Sequence, residues 1–187
     1  MHEDKDLVKR TLDGEKEAFE MIIRKYENPL LNYVGRMVGE RELALELTQE
    51  VFFKIYSSLS SYQAKYKFSS WLFKIASNLI IDYWRKKKLP TLSLDQKESE
   101  SYAQLSQRVA HKDPSVIKRF ELSEAREKIE KALENIPAFL RELFVWRHIN
   151  ELSYEEIAEI KDLPVGTVKN RVFQAKEFIR QQLEEKP

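Results

Sequence analysis

Residues 152–183, LSYEEIAEIKDLPVGTVKNRVFQAKEFIRQQL, dictate a short capped helix, a tight break and a longer helix with one apolar side. Ser153 stands where an N-cap belongs and Glu156 follows three residues later, so each side chain can satisfy the other residue's backbone N–H at the helix start. The first helix is predicted to end near Lys161. Asp162 and Leu163 break the periodicity, and Pro164 suits the first turn of the next helix, where its missing N–H is not needed. On that second helix Val168, Val172, Ala175 and Ile179 recur at helical spacing and form a stripe to bury. Lys169, Asn170, Phe173, Gln174, Lys176, Glu177 and Arg180 are then forced outward. This is the pattern of a helix-turn-helix whose second helix enters a major groove. Lys, Asn and Gln can hydrogen-bond base edges, cations neutralise phosphate, and an exposed Phe can meet a thymine methyl. A lone helix with these residues would read as an ordinary solvated surface; the capped partner helix and the short turn decide otherwise.

The remainder of the chain also reads as helix. It has only four glycines in 187 residues and no sustained period-two alternation. The expected fold is all-α, with helices near 4–13, 15–36, 40–58, 69–88, 116–135, 138–149, 153–161 and 164–183. The stretch LPTLSLDQKESESYAQLSQRVAHKDPS is polar, rich in serine and bracketed by prolines, and 91–115 reads as a flexible linker. Two small domains are therefore expected, 1–90 and 116–187, the second one ending in the helix-turn-helix.

Composition removes several classes. With no cysteine there is no disulfide framework and no thiolate metal site, as suits a reducing cytosol. Neither a signal-like core at the N-terminus nor a membrane-spanning apolar run occurs in the sequence, so the expectation is a cytoplasmic protein without membrane insertion. His2, His111 and His148 are scattered, and neither a Gly-rich phosphate loop nor a nucleophile beside a base can be found. No enzyme, metal or cofactor is expected, and His148 reads as a helix-end residue. Lys/Arg against Asp/Glu stand 16 to 13 over 1–90, four to four over 91–118 and 12 to 14 over 119–187, a net +1. Clustered cations supply most non-specific affinity for duplex DNA, so this chain should grip DNA weakly alone and needs a partner.

Two helices of the first half carry unusual outer faces. In 40–58, Ala44, Leu47, Val51, Ile55 and Leu59 share one side, while Glu42, Glu46, Gln49, Glu50 and Phe53 share the other. Solvated charge alone would explain the carboxylates, but an aromatic stranded among them fits an anchor within an acidic docking surface. In 69–88, Leu72, Ile75, Ala76, Leu79 and Tyr83 form the inner stripe, leaving Lys74, Asn78, Ile81 and Arg85 outside, followed by Lys86, Lys87 and Lys88. A basic helix end complements the helix dipole, yet four cations exceed that need. Trp71 and Trp84, with Tyr62, Tyr66 and Phe68 in the preceding loop, add aromatics for base stacking, the combination that holds single-stranded nucleic acid. Phe68, Trp71 and Tyr83 are expected to serve mainly the core.

An acidic docking helix, a basic aromatic helix, a polar linker and a helix-turn-helix, in that order, resemble the bacterial RNA polymerase sigma factors of the extracytoplasmic-function type, within the sigma-70 family. The likeness rests on ELTQEVFFKIY at 46–56, KFSSWLFKIASNLIIDYWRKKK at 67–88 and LSYEEIAEIKDLPVGTVKNRV at 152–172, and it spans nearly the whole chain. It implies that Glu42, Glu46, Gln49, Glu50 and Phe53 face the clamp of core RNA polymerase. It further implies minus-ten DNA contacts by Tyr62, Tyr66, Lys74, Asn78, Arg85, Lys86 and Lys88, with the loop from Ser60 to Phe68 cradling a base flipped from the non-template strand. By the same likeness Thr167, Lys169, Asn170, Arg171, Phe173, Gln174 and Lys176 meet the minus-35 element, Arg171 contacting phosphate or packing locally. The C-terminal domain would also bind the polymerase flap, and an anti-sigma factor would cover these faces. Glu46 stands where the family commonly has Asp, and Gln174 where some members have Arg. The competing reading is a stand-alone helix-turn-helix regulator with a sensing or dimerising first half, which leaves 67–88 unexplained.

Overall fold

The computed structural model describes residues 2–88 and 127–184, so the predicted linker and the first part of the predicted 116–135 helix lie outside the described residues. The first half comprises α1 (His2–Leu12), α2 (Lys16–Val38), α3 (Arg41–Ser58), a 3-10 turn (Leu59–Ser61) and α4 (Phe68–Lys88). The second comprises α5, described over 127–135, then α6 (Ala138–His148), α7 (Tyr154–Lys161) and α8 (Val165–Glu184). No β-strand occurs among the described residues. The chain is all-α, in two helical domains.

Helical periodicity explains which sides are buried. Ala44, Leu47, Val51, Ile55 and Leu59 are all buried, and so are Leu72, Ala76 and Leu79 of α4, while Ile75 and Tyr83 lie at the edge of the core. Phe68 is buried and Trp71 half-buried, as expected of aromatics that serve the core. α2 ends at Gly39, whose φ of 76° lets its N–H turn back to the Gly35 carbonyl, a left-handed conformation that costs glycine little. Pro29 lies inside α2, and its own carbonyl accepts from Asn150 Nδ2 at 3.1 Å.

The two domains pack on each other through a continuous apolar core. Tyr33 and Phe73 of the first half meet Trp146 of α6 with ring centroids 5.5 and 6.4 Å apart. Leu143, Val145, Ile157, Ile160, Val168 and Val172 extend the same cluster from the C-terminal side. A smaller second core, Ala132, Leu133, Ile136, Ala175 and Ile179, ties α5 to α8. Polar groups seal the junction: Arg36 pairs with Glu130 at 2.5 Å with both side chains buried, and Arg141 Nη1 donates to the Arg36 carbonyl at 3.0 Å.

Candidate nucleic-acid interface

The helix-turn-helix forms as its sequence requires. Ser153 Oγ accepts from the Glu156 N–H at 3.1 Å, and Glu156 Oε2 accepts from the Ser153 N–H at 2.8 Å. α7 then stops at Asp162, in the left-handed region at φ 53°, which Asp tolerates better than most residues. The N–H of Leu163 closes the turn onto the Ala158 carbonyl at 3.0 Å. Pro164 stands one residue ahead of α8 and accepts there from the Val168 N–H at 3.1 Å, so it precedes the first turn rather than occupying it.

Burial works against the charge of Glu156, but the Ser153 backbone and side chain and Lys67, 3.2 Å away, hold its carboxyl below the ordinary value of 4.5. A carboxyl lowered by folding adds stability that is complete above the unfolded value and is lost as pH falls through the folded one. Glu156→Gln is therefore predicted to destabilise the protein at neutral pH, with the difference from wild type shrinking below about pH 4.5 in denaturant titrations. Ser153→Ala should cost about 1 kcal/mol in the same assay.

Val168, Val172, Ala175 and Ile179 of α8 are buried, which turns Lys169, Asn170, Phe173, Gln174, Lys176 and Arg180 to solvent. Phe173 is 61% exposed, an apolar side chain turned to solvent. Thr167 is half-buried. Arg171 packs locally, its guanidinium carbon 4.4 Å from the centroid of the Phe139 ring, and Lys169 reaches within 5.6 Å of the Tyr154 ring. His148 is the last residue of α6, and burial, then Lys176 and Arg147, push its pKa below the ordinary 6.5.

On α4, Lys74, Asn78 and Arg85 are exposed along one side and Lys86 is exposed beyond them, with Arg85 ion-paired to Asp82. Of Lys88 only the backbone is described. The loop ahead of α4 is held by its own aromatics. Tyr62 donates from its hydroxyl to the Tyr66 carbonyl at 2.7 Å and packs on Phe68 and Trp71 at 5.3 and 5.5 Å. Tyr62 thus shapes the loop, leaving Tyr66 as its exposed ring. Beside it opens a cleft of about 500 Å³ lined by Gln63, Tyr66, Ser70, Trp71 and Lys74. Sequence reasoning missed Ser70, only 3% exposed, whose hydroxyl has no hydrogen-bond partner. Nothing in the sequence distinguishes that serine from a capping residue at the start of α4.

On α3, Glu42, Glu46, Gln49, Glu50 and Phe53 are all exposed, Phe53 at 73%. Leu45 and Tyr56 share this surface, and Tyr56 lies edge-on to Phe19 at 4.9 Å. Their spacing from Phe53, eight residues before and three after, was the available sign. The acidic surface therefore carries Leu45 and a second aromatic, Tyr56, beside Phe53.

Residues 22–89 match Sigma-70 region 2, and 126–179 match Sigma-70, region 4. The chain is 36% identical over 183 residues to the ECF RNA polymerase sigma factor SigW of Bacillus subtilis (strain 168), covering 96% of each. It is 34% identical to the ECF RNA polymerase sigma-E factor of Escherichia coli (strain K12), covering 94% of this chain and 92% of that one. The chain belongs to the sigma-70 family, among its ECF RNA polymerase sigma factors. Its fold is that of CnrH, solved in complex with the cytosolic domain of CnrY, with a TM-score of 0.71, 19% identity and 99% of both chains covered. The sigma factor RpoE from Bartonella quintana, solved with the anti-sigma factor NepR, gives 0.65 at 18% identity, covering 90% of this chain and 98% of that one. No helix among the described residues is long and apolar enough to cross a membrane.

Proposed function

We propose that the chain joins core RNA polymerase in the cytoplasm and directs it to promoters, contributing specificity and strand opening rather than catalysis. The observation that carries this is the recognition helix α8, which presents Lys169, Asn170, Phe173 and Gln174 on one open side in a chain whose first half matches region 2. Residues 1–90 act as the region 2-like domain and 116–187 as the region 4-like domain, with 91–115 spanning between them. Glu42, Glu46, Gln49, Glu50 and Phe53 dock on the polymerase clamp, and the C-terminal domain meets the flap. Lys74, Asn78, Arg85, Lys86 and Lys88 bind the minus-ten DNA. Tyr66, in the loop that Tyr62 shapes, flanks a cleft that receives a flipped base. Extrusion costs a few kcal/mol of stacking and pairing, so a cleft that captures the base favours the open strand. Thr167, Lys169, Asn170, Phe173, Gln174 and Lys176 read the minus-35 element, with Arg171 supporting the helix. An anti-sigma factor is the expected inhibitor, a partner of the kind solved with the Bartonella quintana protein.

The base-reading role is testable at one residue. Gln174→Ala is predicted to weaken or redirect preference within the upstream element by about 1–3 kcal/mol while polymerase binding is spared. Holoenzyme binding to a promoter library randomised at that element measures it. A uniform loss across all sequences contradicts the assignment.

A further inference from the structure

α1 gives two apolar residues to the core, Leu7 and Val8, and its first turn is tied to α2 by charge. Asp4 accepts from Lys25 Nζ at 2.7 Å through Oδ1 and from the Tyr26 hydroxyl at 3.0 Å through Oδ2, while Glu3 takes a further bond from Lys25 at 3.0 Å. The Asp4 side chain is only 15% exposed. A hydrogen bond to an ionised carboxylate is stronger than one between neutral groups, so the phenol of Tyr26 is held firmly. Tyr26 is itself buried, and burial, then the charge of Asp4, pushes its pKa far above the ordinary 10, which keeps the hydroxyl a donor.

Beyond Tyr26 the contacts run on into the loop ahead of α4. The Tyr26 ring stands edge-on to Phe68 at 5.6 Å, Phe68 is perpendicular to Tyr62 at 5.3 Å, and the Tyr62 hydroxyl donates to the Tyr66 carbonyl at 2.7 Å. Asp4, Tyr62 and Phe68 also line one hollow of about 270 Å³. Aromatic pairs favour defined edge-on geometries, so an orientation fixed at Tyr26 constrains Phe68 and then Tyr62. Phe68 is fully enclosed, and close packing transmits a shift instead of absorbing it.

We propose that Asp4 and Tyr26 are positioning residues for strand opening: α1 is a strut whose Asp4 holds Tyr26 and, through Phe68 and Tyr62, sets the placement of Tyr66 beside the base-receiving cleft. The proposal rests on the reading of that cleft as the base site. It brings α1, which lies outside the residues 22–89 matched to region 2, into the machinery of base preference. A binding constellation tolerates only about 0.5 Å of error, so the favoured base loses most when the loop is loosened. Contacts to backbone phosphate carry no sequence information and are indifferent to the change.

Holoenzymes reconstituted from core enzyme and the full-length chain test this by open-complex formation on promoter libraries randomised in turn through the minus-ten and minus-35 elements, with core affinity measured in parallel. Tyr26→Phe should narrow the preference for the best base at the flipped position about fivefold, the equivalent of one hydrogen bond. Asp4→Ala should do the same, and the two together should lose no more than either alone, because both remove one contact. Asp4→Asn keeps an oxygen acceptor for the hydroxyl and should lose only about twofold. Core affinity and minus-35 preference should hold at wild-type values throughout, which also shows that each variant is folded. An unchanged minus-ten preference in Tyr26→Phe and Asp4→Ala overturns the strut and leaves the cleft assignment untouched. Additive losses in the double variant, or equal losses at both elements, overturn it in favour of general destabilisation. A wild-type chain without preference at the minus-ten element removes the cleft assignment and the strut with it.

Discussion

Trp146→Ala is expected to lower the unfolding free energy by about 3–5 kcal/mol, the range for deleting a large aromatic from a packed core. Trp146 is fully buried, and it touches Tyr33 and Phe73 of the first domain as well as Lys161 of its own. Its loss therefore opens a void in the core that the two domains share. The surroundings cannot easily collapse, because Glu142 and Lys161 lie beside the void and resist apolar rearrangement. Equilibrium unfolding in urea, followed by circular dichroism, measures the effect. A loss under 1 kcal/mol would mean that the junction contributes little to folding.

The second large effect concerns the polymerase. Phe53→Ala combined with Glu50→Ala should weaken binding to core RNA polymerase by about 2–4 kcal/mol, the scale of an aromatic hot spot, without a comparable change in unfolding free energy. Phe53 is exposed, and neither it nor Glu50 belongs to the core. Leu45 and Tyr56 flank it and offer further apolar contact. Glu50 adds charge complementarity, which acts chiefly on encounter rate and partner choice. Competition binding with purified core enzyme gives the number, and undiminished affinity would remove α3 from the docking surface.

The sequence was most legible where one residue's fate depends on its neighbours along a helix. Val168, Val172, Ala175 and Ile179 announce their buried side through spacing alone, and the Ser153–Glu156 box needs only a separation of three. Exposure of Lys169, Asn170, Phe173 and Gln174 follows by geometry from those buried positions. Contacts between distant segments left no such trace. Glu142 reads as a surface charge on an amphipathic helix, and its partners Tyr33 and Ser77 are 109 and 65 residues away. Burial of a carboxylate becomes comprehensible only when its donors are seen together. The joint core is illegible for the same reason. Trp146 could satisfy its helix by packing within its own domain, and nothing in its spacing points to Tyr33. Position at the edge of the outer face leaves Arg171 open to phosphate contact or local packing, and only the fold shows the Phe139 ring beneath its guanidinium. Along the loop, the order of Tyr62 and Tyr66 gave no sign of which ring would anchor and which would face outward.

The central claim is that this chain confers start-site choice on core RNA polymerase. Transcription from a pooled promoter library by purified core enzyme, with and without the protein and with transcript 5′ ends mapped, tests it most directly. The account predicts new starts at a defined position downstream of paired minus-35 and minus-10 elements, and their loss with a Lys169→Ala, Asn170→Ala, Gln174→Ala triple variant. If core enzyme supplied with this protein initiates at no defined site while a control sigma factor does so in parallel, the account is contradicted.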